Sequence, residues 1–213
     1  MGEGEFIFLL KGLKWTVILA AVSFACGTVT GLGIALARTC GIRWIERATA
    51  GYIALFQGTP LLMQLFVVYY GLALYGLQID AWAAVATGFT LHASAYLGEI
   101  WRGSIEAVPR GQVEAAKALS LSYFWRMKDV VLPQAIRISL PATIGFLVQL
   151  IKGTSLAAFV GFTELSRAGS MVSNQIFKPL LVFGVVGALY FAICWPLSLV
   201  GSRLEHKLAA ATR

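Results

Sequence analysis

The sequence predicts an all-α membrane protein with five transmembrane helices, its N-terminus outside and its C-terminus in the cytoplasm. Three observations carry this. Hydrophobic residues make up 58% of the 213 residues and charged residues only 13%, with a mean hydropathy of +0.77. A soluble domain carries about 25% charged residues, so this surface meets lipid. Mainly apolar stretches of the ~20 residues a bilayer core requires recur at 13–37, 52–77, 82–101, 139–162 and 179–201. The basic residues are segregated between the connections. Arg38, Arg43 and Arg47 follow the first stretch; Arg102, Arg110, Lys117, Arg126, Lys128 and Arg137 follow the third; Arg203, Lys207 and Arg213 follow the fifth. The opposite connections hold only Lys11, Lys14, Arg167 and Lys178. The positive-inside rule places the larger set in the cytoplasm.

Taken in order, the first stretch is too long for a signal-peptide core and lacks a basic head, so it reads as a retained span. Its Gly27, Gly31 and Gly33 have the small-residue spacing of close helix packing. In the second, Pro60 removes a backbone donor and permits a kink, so Gly58-Thr59-Pro60 reads as a bend, with Gln64 one helical turn beyond. In the third, Glu99 and Arg102 are three apart and pair on one helix face, while His92 reads as a satisfied interior histidine. The fourth carries Lys152, with Thr154 and Ser155 within the next turn. The fifth leads into a basic tail that contains His206. Cys26, Cys40 and Cys194 are isolated, without disulfide or metal spacing, and read as buried thiols. No repeat, linker or catalytic cluster stands out, so residues 1–213 read as one membrane domain. The net charge of +7 is accounted for by membrane orientation, so no nucleic acid partner is expected.

The connection at about 104–138 is charged yet patterned. Pro109-Arg110-Gly111-Gln112 reads as a turn that opens a helix. The run Val113 to Leu121 is rich in alanine, which favours helix and leaves a low surface for another protein to approach. Ser120 and Ser122 then break this helix or cap the next. A second helical piece, Tyr123–Val131, ends at Pro133.

Within this connection, Glu114-Ala115-Ala116-Lys117-Ala118-Leu119-Ser120, continuing to Val131-Leu132-Pro133, resembles the cytoplasmic EAA loop of permease subunits of bacterial ABC importers. Ser120 stands where the family usually has Gly. Phe56-Gln57-Gly58-Thr59-Pro60-Leu61-Leu62-Met63-Gln64 resembles the Arg-Gly-Thr-Pro-Leu-Leu-x-Gln signature of the polar amino acid permeases, with Gln57 for the usual Arg. Ala95 to Gly103, and Leu150-Ile151-Lys152-Gly153-Thr154-Ser155-Leu156 followed by Glu164-Leu165, are similar to further motifs of that subfamily. Together these cover most of residues 51–168.

The resemblance implies the type I importer permease fold and ATP-driven uptake of a polar or charged amino acid across a bacterial inner membrane. It implies an ATPase dimer, a second permease copy or sister permease, and an extracytoplasmic amino-acid-binding protein. The chain has no Gly-x-x-x-x-Gly-Lys-Ser/Thr motif, so ATP and Mg belong to the partner ATPase and no cofactor is expected here. The resemblance implies ATPase coupling through Gly111, Glu114, Ala115, Ala116, Ser120, Leu132 and Pro133.

A substrate path is expected to draw on Gly58, Thr59, Pro60, Gln64, Lys152, Thr154, Ser155 and Glu164. Lys152 costs about 2.5–3.5 kcal/mol at mid-bilayer. It therefore meets a substrate carboxylate or a gating partner, pairs with Glu99 or Glu164, or snorkels to an interface. Thr154 and Ser155 line the path or hydrogen-bond back to their own helix. The competing reading is a standalone secondary carrier or small channel, which calls for coupling carboxylates and an internal repeat.

Overall fold

In a computed structural model, residues 2–211 are described, with side chains through Leu208. Arg213, one of the basic residues assigned to the cytoplasm, lies outside the described residues. Helix α1 (Glu3–Arg38) starts well ahead of the apolar run at 13–37. It turns Val17, Val22, Val29 and Leu32 outward and packs through small residues. Its chief partner is α4 (Ala81–Glu106). A Cβ on Gly27 would come within 2.5 Å of Ala93 Cβ, and one on Gly31 within 3.1 Å of Leu97 Cβ. The notch is mutual, because a Cβ on Gly98 would strike Ile34 at 2.8 Å. Gly33 does not join this contact; a Cβ there would meet nothing within 4 Å.

The apolar run at 52–77 is a corner between two helices. Helices α2 (Arg43–Gly58) and α3 (Leu61–Leu74) meet at 107°. Thr59 is extended, at φ −116° and ψ 143°, as steric contact with the following proline ring demands. Val67–Gly71 widens α3 into a π-turn.

In α4, Val85, Phe89, Ala93 and Leu97 are fully buried. Their spacing of four makes one apolar stripe. Leu19 of α1, Leu65 of α3, and Phe146 and Leu150 of α6 (Tyr123–Val160) close on this stripe as the core. Tyr52 fastens α2 to α4, donating to Leu91 O at 3.0 Å with Ser94 Oγ at 2.6 Å.

Helix α5 (Arg110–Ala118) precedes α6, and α7 (Leu165–Ile176) and α8 (Pro179–Ala211) follow it. Among the described residues, α1, α6 and α8 are long and apolar enough to cross a membrane, and the bent α2–α3 pair makes a fourth candidate. The 26 residues of α4 reach about 39 Å, but the helix carries His92, Glu99 and Arg102. It tolerates them because each has a polar partner, His92 with Gln64 and Arg102 with Glu99.

Pro133 does not end a helix. The backbone runs unbroken from Tyr123 to Val160, with a π-turn over Arg126–Val131 just ahead of the proline. Widening the turn relieves the clash between a prolyl ring and the carbonyl four residues back. The connection expected at 104–138 is therefore one short helix and the first turns of α6.

Candidate coupling surface and membrane-embedded polar sites

Helix α5 sits on the end of the bundle that carries most of the basic residues. Its Ala116 is buried, while Gly111, Glu114 and Ala115 are exposed. Val113 packs on a small core of Val108, Met127, Val131 and Ala135, which joins α5 to the base of α6. The helix ends on Ser120 in the left-handed region at φ 57°. Ser120 N donates to Lys117 O at 2.9 Å, and Leu121 N to Ala116 O at 3.1 Å. These are the two hydrogen bonds of a Schellman turn, whose left-handed position usually holds glycine. Ser122 opens α6 without a side-chain cap bond.

A cleft of about 580 Å³ beside α5 is lined by Arg38, Lys117 and Arg126 as well as Glu106 and Glu114. Arg102 bridges Glu99 at 2.6 Å and Glu106 at 2.5 Å. Both carboxylates, Glu99 first, push its guanidinium pKa up. Leu132 is half-buried and Pro133 exposed on α6, so these two lie in the long helix while Glu114 and Ala115 lie on the protruding one.

The corner at Thr59-Pro60 caps itself. Thr59 Oγ1 donates to Leu55 O at 2.8 Å. Gln64 Nε2 reaches back to Phe56 O at 2.7 Å and to Thr59 O and Oγ1 at 3.0 Å. These bonds satisfy carbonyls that a broken helix leaves open. Gln64 Oε1 lies 3.0 Å from His92 Nδ1, which makes that nitrogen the donor. Tyr96 and Phe146 flank the imidazole. Gln64 is buried and committed to this network, and Gly58, Thr59 and Pro60 are exposed at the corner.

Glu164 is fully buried. It caps α7, accepting from Ser166 N and Arg167 N, each at 2.8 Å. Tyr190 of α8 donates to it at 2.8 Å, and Thr16 of α1 lies at 3.4 Å while accepting from Leu165 N at 3.1 Å. Three helices thus converge on one carboxylate. The sequence reading missed Thr16 and Tyr190; the only available signal was a hydroxyl inside an apolar run.

Thr154 is buried and bonds back to Ile151 O at 2.6 Å, and Ser155 bonds back to Lys152 O at 2.8 Å. Lys152 itself is exposed on the side of α6. It borders a cavity of about 280 Å³ with Tyr190, Cys194, Trp195 and Ser198. It pairs with neither Glu99 nor Glu164; the ion pairs among the described residues are those of Arg102. The cysteines are free thiols, and only Cys194 is buried; Cys26 is exposed and Cys40 half-buried. The expectation of buried thiols thus holds at one position, because Cys26 lies on the outward side of α1.

Residues 27–213 match the family described as binding-protein-dependent transport system inner membrane component. The chain is similar to the probable amino-acid ABC transporter permease protein YckA of Bacillus subtilis, 36% identical and covering 96% of this chain and 91% of that protein. It is similar to the arginine transport system permease protein ArtQ of the same organism, 34% identical with 94% and 92% covered. Among solved structures, an amino acid ABC transporter crystallised with histidines superposes with a TM-score of 0.88 at 31% identity, covering 95% of this chain and 94% of that one. With this helical architecture and these matches, the chain belongs to the inner-membrane permease subunits of binding-protein-dependent ABC importers, which carry the path while a separate ATPase hydrolyses ATP.

Proposed function

We propose that this chain forms half of the path of an importer for a polar amino acid. A second permease, alike or homologous, supplies the other half, and a binding protein delivers substrate from outside. An ATPase dimer holding ATP and Mg grips α5 of each permease. The five spans and N-out orientation expected from the sequence belong to this reading, as does the single-domain organisation of residues 1–213. Its main support is the exposed Glu114-Ala115 surface on α5, seated on the base of the same helix that carries Lys152. Closure of the ATPases would move α5, tilt α6 and open the path outward; hydrolysis would reset it.

Glu114→Arg places a cation where the ATPase expects an anion. Substrate-stimulated ATP hydrolysis in the reconstituted importer should fall by about tenfold or more, the scale of a reversed interfacial charge, with membrane insertion unchanged. Normal stimulation in that variant would remove α5 as the coupling element.

Of the residues assigned to the path, Lys152 is the one that combines charge, exposure and lack of an ion partner within the described residues. We assign it the substrate carboxylate or a partner-permease contact. Gln64, Thr154, Ser155 and Glu164 shape the frame around it, and Gly58-Thr59-Pro60 forms the corner. Lys152→Met should lower uptake of an anionic amino acid more than that of a neutral one in competition assays. Equal losses would assign Lys152 a structural role.

A further inference from the structure

Below α5, a groove of about 480 Å³ runs between the end of α1, the turn into α2 and the first turns of α6. Its walls are almost wholly carbon, from Leu36, Ile42, Ile45, Phe124 and Met127, and Lys128 stands among them. The groove's aromatic rim is Tyr123 and Phe124, both exposed, and Trp44 and Trp125 are exposed at adjoining positions of α2 and α6. The Lys128 ammonium sits 5.0 Å from the Trp125 ring centroid and 5.9 Å from that of Phe124. No carboxylate forms an ion pair with it among the described residues. Nearby Glu46 is engaged by Gly41 N at 2.9 Å, and Asp129 follows in the same turn.

An apolar trough, an aromatic rim and an unpaired cation form the combination that suits one amphiphile. The geometry points to a binding site for an anionic phospholipid of the inner leaflet, with an acyl chain in the groove and its phosphate on Lys128. Charge complementarity selects the anionic headgroup, and exposed Arg43 and Arg47 on α2 add to the local positive field. Aromatic rings and cations of this kind concentrate at membrane interfaces. The site rests on the cytoplasmic placement of α5 and the base of α6.

The test uses the purified importer with its ATPase, titrated with phosphatidylglycerol or chain-matched phosphatidylcholine and read by native mass spectrometry. Phosphatidylglycerol should be retained in preference. Lys128→Gln should weaken its retention about fivefold, the scale of one interfacial cation, and Lys207→Gln should leave it unchanged. Cys40 lines the groove, so phosphatidylglycerol should also slow its alkylation in the unmutated protein. Equal retention of both lipids, equal loss in the two variants, or undiminished alkylation of Cys40 would overturn the site. Retention by the permease stripped of its ATPase, but not by the complex, would give the groove to the ATPase. Labelling of Cys40 by an impermeant reagent from the outer face alone would instead overturn the orientation.

Discussion

Glu164→Gln separates a helix cap from a substrate contact, because it keeps the shape and removes an acceptor. The carboxylate takes Arg167 N on one oxygen and Ser166 N with Tyr190 OH on the other. An amide has a single carbonyl oxygen, so its NH2 must face Arg167 N–H in one orientation, or Ser166 N–H together with the Tyr190 hydroxyl in the other. The tyrosine can reverse its bond and accept; the backbone N–H cannot. One donor in the first turn of α7 is therefore left facing another donor, at about 1–3 kcal/mol. Loss of the charge at the helix N-terminus adds about 0.5–1 kcal/mol. The sum, roughly 1.5–4 kcal/mol, corresponds to about 3–16 °C in a chain of this size. Thermal unfolding of the solubilised complex, followed by size-exclusion fluorescence, reads it directly. A fall in the midpoint, with uptake by the intact fraction preserved at low temperature, is expected. Unchanged thermal stability with lost uptake would refute the cap argument and return Glu164 to the path.

Two smaller perturbations test the packing. Ser120→Gly relieves a left-handed seat that costs an L-residue about 1–2 kcal/mol, so hydrogen exchange at Leu121 N should slow while ATPase coupling persists. Gly27→Ala forces a Cβ to 2.5 Å from Ala93 and should cost about 1–3 kcal/mol as overpacking. Gly33→Ala, which meets nothing within 4 Å, should stay within about 0.5 kcal/mol; equal midpoints for the two alanine variants would contradict the α1–α4 notch.

What could be read from sequence follows from how local each cause is. The Thr59-Pro60 corner is local: a proline and the restricted residue before it enforce it whatever surrounds them. The left-handed turn at Ser120 is local too, since the end of an alanine-rich helix must reverse somewhere close. Gln64 is harder. A polar side chain in an apolar run reads equally as a path residue or as the cap of a broken helix, and only the 107° bend brings it back onto Phe56 O. Glu164 is harder still, because its partners Thr16 and Tyr190 lie 148 and 26 positions away. Pro133 misleads for a physical reason: proline normally stops a helix, but here a π-turn precedes it and absorbs the clash. Helix α4 is harder to read as a span, because Glu99 and Arg102 lie near one end of it while its buried face is the apolar stripe Val85, Phe89, Ala93 and Leu97.

Under the proposed coupling, the continuity of α6 would change how force reaches the membrane interior. A loop joined to a separate span would dissipate a push at the joint. Instead Val113 of α5 and Met127 and Val131 of α6 share one packed core, and the same helix continues to Lys152. That distance is about 30–38 Å along the axis. The far end is held differently. Beyond the 3-10 turn at Thr154–Val160, Arg167 Nη1 donates to Ala158 O at 3.3 Å, and the Glu164 cap binds α7 to α1 and α8. In that coupling, a displacement of α5 would load α6 at its Tyr123 end, while the Ala158 end is tied to α7. Phe146 and Leu150 in the central core add a second hold along the helix, so such a load would tilt α6 about its packed upper half. Lys152 lies in that half, so it would turn through a small arc while the base of α6 travels furthest. Under the proposed coupling, motion at Glu114 would then reach Lys152 through α6, against a frame of α1, α7 and α8 that the Glu164 cap ties together.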